Sequence, residues 1–335
     1  MISRTDPDGQ APDWRRKMAQ AVTDPAELLC LLKLPCSLLP AAQAAAHRFG
    51  LRVPREFIDL MEPGNPADPL LRQVLPLGEE LLETPGFSDD PVGDRAALQG
   101  AGVLGKYQGR ALVIASAACA LHCRYCFRRN FPYSEQQASL GHWRPALETL
   151  RRDPELREVI LSGGDPLSLD DARLGELLVG LAAIPQLRRL RIHTRLAVVI
   201  PERITQPLLG LLQHTRLTPV VVVHVNHPQE LAAPTASAAL QRLRGVTTVL
   251  NQSVLLRGVN DNLEVLTTLS ERLFDTGILP YYIHTLDRVR GAAHFEVDHD
   301  AARDLVTELR NRLPGYLVPR LVKEEQGGMA KTLIV

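Results

Sequence analysis

From residue 110 to residue 312 the sequence alternates short apolar segments with longer amphipathic ones, a pattern typical of strands that alternate with helices. The apolar segments predict six strands, at 111–116, 159–162, 190–193, 220–225, 247–253 and 279–284. Helices are predicted between and after them, at 143–152, 172–183, 202–214, 235–244, 263–276 and 301–312. β-Branched runs such as 220–223 suit strands that are buried on both faces, so the sheet should be parallel. These units predict an α/β fold, a partial (β/α)6 TIM-like barrel with its chemistry at the carboxyl ends of the strands.

Residues 1–100 lie outside this alternation and predict an N-terminal helical and irregular region. Asp24 and Pro25 suit the start of a helix that runs to residue 32, and the alanine-rich segment 40–49 predicts a second helix. Cys30 and Cys36 fall in this region, and we expect them to pack as apolar residues. The predicted organisation is therefore an N-terminal region at 1–100, the partial barrel at 101–316, and a short C-terminal segment at 317–335 that closes on the barrel.

Three of the five cysteines, Cys119, Cys123 and Cys126, follow the first predicted strand in a C-x3-C-x2-C spacing. Three thiolates on one loop can bind three irons of a [4Fe–4S] cluster and leave the fourth iron open to a chelating small molecule. The alternatives are a structural zinc site with His122, a disulfide with a spare thiol, and buried apolar cysteines. Zinc sites usually use two separated ligand pairs, disulfides need an oxidising compartment, and His122 and Arg124 suit a core poorly. The spacing therefore favours the cluster.

Charge and composition narrow the class of protein. The chain carries 38 basic and 38 acidic residues, and this balance argues against a general nucleic-acid or membrane-surface binder. Residues 1–14 do not have the pattern of a signal peptide, and no apolar run approaches the ~18 residues of a membrane span. The cysteines have no evident disulfide framework, which fits a reducing compartment. We therefore expect a cytoplasmic protein that binds neither nucleic acid nor a membrane.

Two glycine pairs mark further candidate sites. Ser162-Gly163-Gly164-Asp165 follows the second predicted strand, and paired glycines let a backbone approach a ligand closely. A second pair precedes Lys331, in a chain that has no lysine between Lys106 and Lys323. Lysine offers an amine that can form a Schiff base, whereas the arginine guanidinium stays protonated. A lysine on a glycine-rich loop suits pyridoxal phosphate (PLP), although a loose surface tail has the same pattern.

Further segments, together with the cysteine loop, carry a family resemblance. The loop continues as Cys123-Arg-Tyr-Cys-Phe-Arg-Arg, and the other segments lie at 24–29, 52–59, 64–75, 251–257, 280–284, 291–295 and 315–319. Together they resemble the lysine 2,3-aminomutase family of radical S-adenosylmethionine (SAM) enzymes, and most closely its elongation factor P β-lysylation branch. The resemblance covers nearly the whole chain and implies a radical SAM partial barrel.

The resemblance implies three cofactors, namely a [4Fe–4S] cluster, SAM and PLP. The three clustered cysteines would bind the cluster, and residues 162–165 match the segment that holds the methionine amino group of SAM. Lys331 matches the lysine that forms the Schiff base with PLP. Lys106 and Arg110 match a basic pair near the PLP phosphate, and Gln252 matches a glutamine of the cofactor pocket.

The same resemblance implies that the substrate is L-α-lysine and the product β-lysine. Arg128 matches the arginine that pairs with the substrate α-carboxylate, a natural bidentate contact. Asp287 and Glu324 match two acidic residues that hold the distal ammonium group. In free-standing lysine aminomutases the second acid is aspartate, so Glu324 moves this charge by one methylene. Two acids favour lysine over glutamate as the substrate, because an unpaired buried pair of like charges is costly.

The implied partners are an electron donor, elongation factor P, and a separate ligase that attaches β-lysine to a lysine of that factor. The oligomeric state stays open, and a homo-oligomer is one option. Free-standing lysine aminomutases carry a long C-terminal extension with additional cysteines, whereas this chain ends four residues after Lys331, which favours the elongation factor P branch. Three alternatives remain: a free-standing lysine 2,3-aminomutase of lysine metabolism, a radical SAM modification enzyme without PLP, and a non-enzymatic iron–sulfur or zinc module.

Overall fold

One mixed sheet organises the structure, a computed structural model that describes residues 13–133 and 143–334. Its strands are β1 (Val103–Tyr107), β2 (Arg110–Ser116), β3 (Glu158–Gly163), β4 (Arg189–Thr194), β5 (Thr218–His224), β6 (Thr248–Val254), β7 (Leu279–His284), β8 (Arg320–Lys323) and β9 (Thr332–Leu333). In the sheet, each strand is hydrogen-bonded to the strands that come before and after it in the chain. Neighbours from β2 to β8 run parallel, whereas β1 pairs antiparallel with β2, and β9 pairs antiparallel with β8.

Helices precede the sheet and connect its strands. The N-terminal helices are α1 (Asp13–Ala19), α2 (Pro25–Leu31), α3 (Leu39–Arg48), α4 (Arg55–Ile58) and α5 (Pro69–Arg72). Those of the barrel are α6 (Arg144–Arg151), α7 (Asp171–Ala182), α8 (Leu196–Val199), α9 (Gln206–His214), α10 (Pro234–Arg244), α11 (Leu263–Asp275) and α12 (His299–Arg312). Asp24, Thr205 and Asn262 cap α2, α9 and α11, because each side chain accepts a hydrogen bond from a first-turn amide. Within the described ranges, no helix is both long and apolar enough to cross a membrane.

Aliphatic side chains of the strands and helices form a shared core. Val113, Leu161 and Val223 of the strands are buried in the same cluster as Leu174 of α7. Burying such a side chain contributes roughly 1.5–3 kcal/mol to stability. Trp14 of α1 belongs to this cluster too, so the N-terminal helices pack on the barrel. The subdivision at 1–100, 101–316 and 317–335 stays a prediction.

The structure confirms the predicted α/β fold with a parallel sheet, and the six predicted strands correspond to β2 through β7. The predicted helix at 202–214 begins later than expected. A short 3-10 turn occupies Pro201–Arg203, and Thr205 then caps a new helix whose second residue is Pro207. The predictions miss β1, β8 and β9, which are short and lie at the edges of the sheet.

The expectation that Cys30 and Cys36 pack as apolar residues is wrong, since both side chains are exposed. Helix α2 directs Leu28 and Leu29 into the core, and its geometry then turns Cys30 outward. Cys36 lies in a short 3-10 turn that buries none of its residues.

Candidate active site

A single cavity at the carboxyl ends of the parallel strands brings together every site residue predicted from the sequence. Parallel strands end at the same edge of a sheet, so residues that are far apart along the chain meet there. The predicted residues that line the cavity are Lys106, Arg110, Cys119, Cys123, Cys126, Arg128, Ser162, Gly163, Gly164, Asp165, Gln252, Asp287, Glu324 and Lys331. Their proximity is structural, whereas their individual roles stay predictions.

Buried Glu80 anchors the cysteine loop, residues 117–129, which follows β2. Its carboxylate accepts hydrogen bonds from Arg124 Nε at 2.8 Å and Arg124 Nη2 at 2.6 Å, and from Arg129 Nη2 at 2.6 Å. Within the loop, the amide of Cys126 donates to the carbonyl of Cys123 at 3.0 Å, which closes a tight turn. Two charge-assisted arginine contacts on one carboxylate therefore hold the thiols against the N-terminal region.

The three thiols form a donor set that fits an iron–sulfur cluster. Burial raises the pKa of Cys119 well above its usual value, and burial with the neighbouring Cys123 raises the pKa of Cys126 to about 11. Iron binding at neutral pH would therefore displace protons from these thiols. Among residues 13–133 and 143–334, no three His, Cys, Asp or Glu side chains are placed to hold a single metal ion. A [4Fe–4S] cluster does not require that placement, because each thiolate binds a different iron.

The glycine pair at the end of β3 lies directly against the start of the cysteine loop. A Cβ atom on Gly163 would lie 2.7 Å from the carbonyl oxygen of Ser116, and one on Gly164 would lie 2.5 Å from that of Ala118. The amide of Gly164 donates to Ser116 O at 2.7 Å, and the amide of Asp165 donates to Ala118 O at 2.8 Å. Gly163 also has a φ of +114°, which L side chains rarely adopt. The pair therefore allows a close backbone contact between two candidate cofactor-binding segments.

The carboxylate of Asp165 is fully occupied by protein donors. It accepts hydrogen bonds from Thr194 Oγ1 at 2.8 Å and 2.9 Å, and from the backbone amides of Arg195 at 2.7 Å, Leu196 at 2.9 Å and Leu167 at 3.0 Å. The side chain thus fixes the turn after β4. A SAM-binding role of residues 162–165 would accordingly rest on their backbone and on Ser162.

Asp94, which the sequence reading did not single out, joins two of the predicted cations. Its carboxylate lies 2.5 Å from Lys106 Nζ and 2.5 Å from Arg128 Nε, and Arg128 Nη1 donates to Ser162 Oγ at 3.1 Å. Burial disfavours the charged form of Asp94, but Arg128 and Lys106 outweigh burial and lower its pKa. Asp94 therefore orients the Arg128 guanidinium beside the glycine pair.

Glu324 and Lys331 face each other because of the register of the terminal hairpin. Lys323 of β8 pairs with Thr332 of β9, so Glu324 and Lys331 are the next opposite pair, and Lys331 Nζ lies 3.1 Å from the Glu324 carboxylate. Lys106 Nζ contacts the other carboxylate oxygen at 2.8 Å. Burial opposes the ionisation of Glu324, but Lys331 and Lys106 lower its pKa to about 2. In this state the predicted substrate-binding acid pairs with both predicted PLP-binding lysines.

Asp287 is the second predicted acid, and its environment differs from that of Glu324. Burial and the nearby charge of Glu324 raise the pKa of Asp287 to about 7, although Lys331 and Lys106 act in the opposite direction. Near neutral pH the residue is therefore close to half protonated. A cation that entered the cavity beside Asp287 would favour its ionised form.

The remaining predicted PLP-pocket residues also contact neighbours that line the cavity. Gln252 Nε2 donates to Nε2 of His224 at 2.9 Å, and burial lowers the pKa of His224 to about 3, so the neutral ring can accept. The Arg110 guanidinium lies 4.8 Å from the ring centroid of Tyr107. Lys331 Nζ lies 5.8 Å from the ring centroid of Tyr282. An amine, two further cations and aromatic rings around one cavity fit the chemistry of PLP.

Sequence reasoning also missed Arg195, Glu230 and the polar atoms around them. Arg195 follows β4 directly, and a polar residue at the carboxyl end of a barrel strand was the available signal. His193 and His284 line the same cavity, and their Nε2 atoms are buried without a hydrogen-bond partner in the part of the chain that the structure describes. Such atoms suit contacts with a ligand.

Known proteins resemble this chain over nearly its whole length. No protein-family model matches it. It is 50% identical over 322 residues to L-lysine 2,3-aminomutase of Escherichia coli K12, and the aligned residues cover 96% of this chain and 94% of the relative. It is 47% identical over 322 residues to L-lysine 2,3-aminomutase of Haemophilus influenzae Rd, with 96% and 95% covered. Among solved structures, a radical SAM methyltransferase from Sphaerobacter thermophilus has a TM-score of 0.46 at 19% identity, over 66% of this chain and 68% of that chain.

Proposed function

The chain belongs to the lysine 2,3-aminomutase family of isomerases, and we propose that it converts L-α-lysine into β-lysine with a [4Fe–4S] cluster, SAM and PLP. One observation carries this proposal: the three clustered thiols and the amine of Lys331 line the same cavity. The cysteines that would hold the radical initiator and the lysine that would hold PLP have to face the same substrate. A shared cavity meets that requirement.

The chain's own residues would bind and orient the reacting groups. When bound, the cluster and SAM supply the radical initiator, and PLP supplies the carrier for the migrating amino group. Cys119, Cys123 and Cys126 would bind the cluster, and the backbone around the glycine pair would contact SAM. Lys106 and Arg110 would contact the PLP phosphate, because both cations line the same cavity as Lys331. Burial of these groups would keep water away from the reaction.

Substrate selection would rest on three charged residues. Arg128 can offer its guanidinium to the α-carboxylate, and Asp94 holds that guanidinium in place. Asp287 and Glu324 would bind the distal ammonium. Glu324 now pairs with both candidate PLP-binding lysines, so a cofactor that engages those lysines would leave Glu324 unpaired. The substrate ammonium would then replace the lost cations. A substrate with a distal carboxylate would instead meet two acids, which favours lysine over glutamate.

The direct test is anaerobic incubation of the reconstituted protein with lysine, SAM, PLP and a chemical reductant, followed by chromatography for β-lysine. The matched variant is Lys331→Arg, which keeps a cation opposite Glu324 but removes the amine. We expect product from the unaltered protein and none from the variant. Absence of product despite an intact cluster and bound PLP would overturn the proposal. Equal product without PLP, or from the variant, would favour a radical SAM enzyme that does not use PLP.

We further propose that the β-lysine is used by a separate ligase that attaches it to a lysine of elongation factor P. This role rests on the sequence resemblance to the elongation factor P branch. Intact-mass analysis of elongation factor P from cells with and without the gene tests it. We expect the factor to lose one lysyl mass when the gene is deleted. Loss of β-lysine without a change in the factor would favour a free-standing role in lysine metabolism.

A further inference from the structure

Arg195 places its guanidinium against one of the three clustered thiols. Nη1 donates to Cys123 Sγ at 2.9 Å, from a side chain that is buried. The backbone amide of Arg195 donates to Asp165 at 2.7 Å, and this contact fixes the turn from which the side chain projects. The contact with Cys123 is therefore built by a rigid turn at the end of β4.

A buried polar network holds the rest of this guanidinium. Nη2 donates to Gln73 Oε1 at 2.7 Å and to Glu230 Oε2 at 2.9 Å, and Nη1 also donates to Tyr125 Oη at 2.8 Å. Asn226 Nδ2 donates to the same Gln73 and Tyr125 oxygens, at 2.9 Å and 2.6 Å. Glu230 and Gln73 are fully buried. The network leaves the arginine little freedom to turn away from Cys123.

The charge of Arg195 is permanent. A guanidinium stays protonated in proteins, and the buried Glu230 carboxylate, 2.9 Å from Nη2, favours the charged form. The arginines of the cysteine loop itself are directed toward carboxylates. Arg124 and Arg129 pair with Glu80, and Arg128 pairs with Asp94.

We propose that Arg195 is a positioning residue that raises the reduction potential of the cluster through its hydrogen bond to the Cys123 sulfur. This inference rests on the proposed function, which supplies the cluster. Reduction takes one electron from a low-potential donor and changes the cluster from 2+ to 1+, so negative charge at the sulfur ligands increases. A cationic N–H donor stabilises the reduced form more than the oxidised form, and hydrogen bonds to the sulfurs are an established determinant of such potentials. Arg195 keeps its proton throughout, so only the electron is transferred.

The test is a redox titration of the full-length protein, reconstituted anaerobically with iron and sulfide, with the reduced cluster followed by electron paramagnetic resonance. Arg195→Gln removes the charge. Arg195→Lys keeps the charge but loses the planar guanidinium, whose N–H groups reach several acceptors at once. Arg203→Lys is the matched control, because Arg203 is also a buried arginine, and its polar contacts go to Leu167 O, Leu169 O and Asp171. Iron content and circular dichroism establish which variants are folded and loaded.

For Arg195→Gln we expect the equilibrium constant for reduction to fall about tenfold, which is about 59 mV for a one-electron couple. Arg195→Lys should shift the potential in the same direction by less, and Arg203→Lys should leave it unchanged. Unshifted potentials in loaded Arg195 variants, or an equal shift in the control, would overturn the inference. If Arg195→Gln does not fold, Arg195→Lys decides by the same criterion. If the unaltered protein assembles no cluster, the proposed function fails first, and this outcome is distinct from an unshifted potential.

Discussion

Asp287 should make the stability of this protein depend on pH near neutrality. Burial and the charge of Glu324 raise its pKa from 3.8 to about 7. A raised carboxyl pKa means that the folded state binds the proton more tightly than the unfolded state does. The resulting stabilisation is fully present below pH 3.8 and is lost as the pH rises through about 7. Asp287→Asn removes this titration and keeps the size of the side chain.

The size of the effect follows from the two pKa values. They differ by about 3.2 pH units, from 3.8 to about 7, and at 1.36 kcal/mol per unit the full cost of ionising Asp287 is about 4.4 kcal/mol. About 2.6 kcal/mol of this cost develops between pH 5 and pH 8. The residue is half-buried and lines the cavity, where solvent screens its charge, so we reduce this figure to about 1–1.5 kcal/mol.

Urea unfolding of the cofactor-free protein at pH 5 and pH 8 measures this difference. We compare the unfolding free energy of Asp287→Asn with that of the unaltered protein at each pH. This difference should be about 1–1.5 kcal/mol more in favour of the variant at pH 8 than at pH 5. Asp304→Asn on the exposed face of α12 is the control and should show equal effects at both pH values. A gain that is absent, or that is larger at pH 5, would refute the reasoning.

Three further outcomes are expected. Lysine binding to the PLP-loaded protein near pH 7 should release a proton from Asp287, and calorimetry in buffers of different ionisation enthalpy measures it; proton uptake would contradict this. Gly164→Ala should lower the iron content of reconstituted protein, because its Cβ would lie 2.5 Å from a backbone oxygen, whereas Gly210→Ala meets nothing within 4 Å and should not. Glu80→Gln should lower the unfolding free energy by roughly 3 kcal/mol, because it weakens two buried arginine contacts, and an unchanged urea midpoint would exclude this anchor role.

Sequence patterning predicted the barrel strands well because each is an apolar run in a strand–helix alternation. Val220–Val223, for example, lies within β5 as observed. The edge strands escaped prediction because β8 has four residues and β9 has two, and such short segments carry little periodicity. Their existence depends on pairing with β7 and with each other, which is a tertiary property.

The site residues likewise fall into those that a sequence motif reveals and those that only a tertiary contact reveals. Residues in recognisable motifs were predicted and do line one cavity, as with the cysteines and Lys331. Asp94 was missed because its importance lies in a contact with Arg128, 34 residues away along the chain. Arg195 was missed because its partner Cys123 lies on a loop 72 residues earlier. A sequence displays such charges but not which of them are buried together.

The terminal hairpin shows how much knowledge of the β8–β9 register would have added to the predicted roles of Glu324 and Lys331. Glu324 follows β8, Lys331 precedes β9, and the turn between them contains Gly327 and Gly328. Once Lys323 is paired with Thr332, the antiparallel geometry sets the two opposite charges directly across from each other. The predicted acid for the substrate and the predicted amine for PLP are therefore coupled by the backbone itself. A reading of Glu324 as a substrate contact alone overlooks that Lys331 and Lys106 already pair with its carboxylate. If Glu324 binds the substrate ammonium as we propose, a cofactor that engages Lys331 would free the carboxylate for that contact.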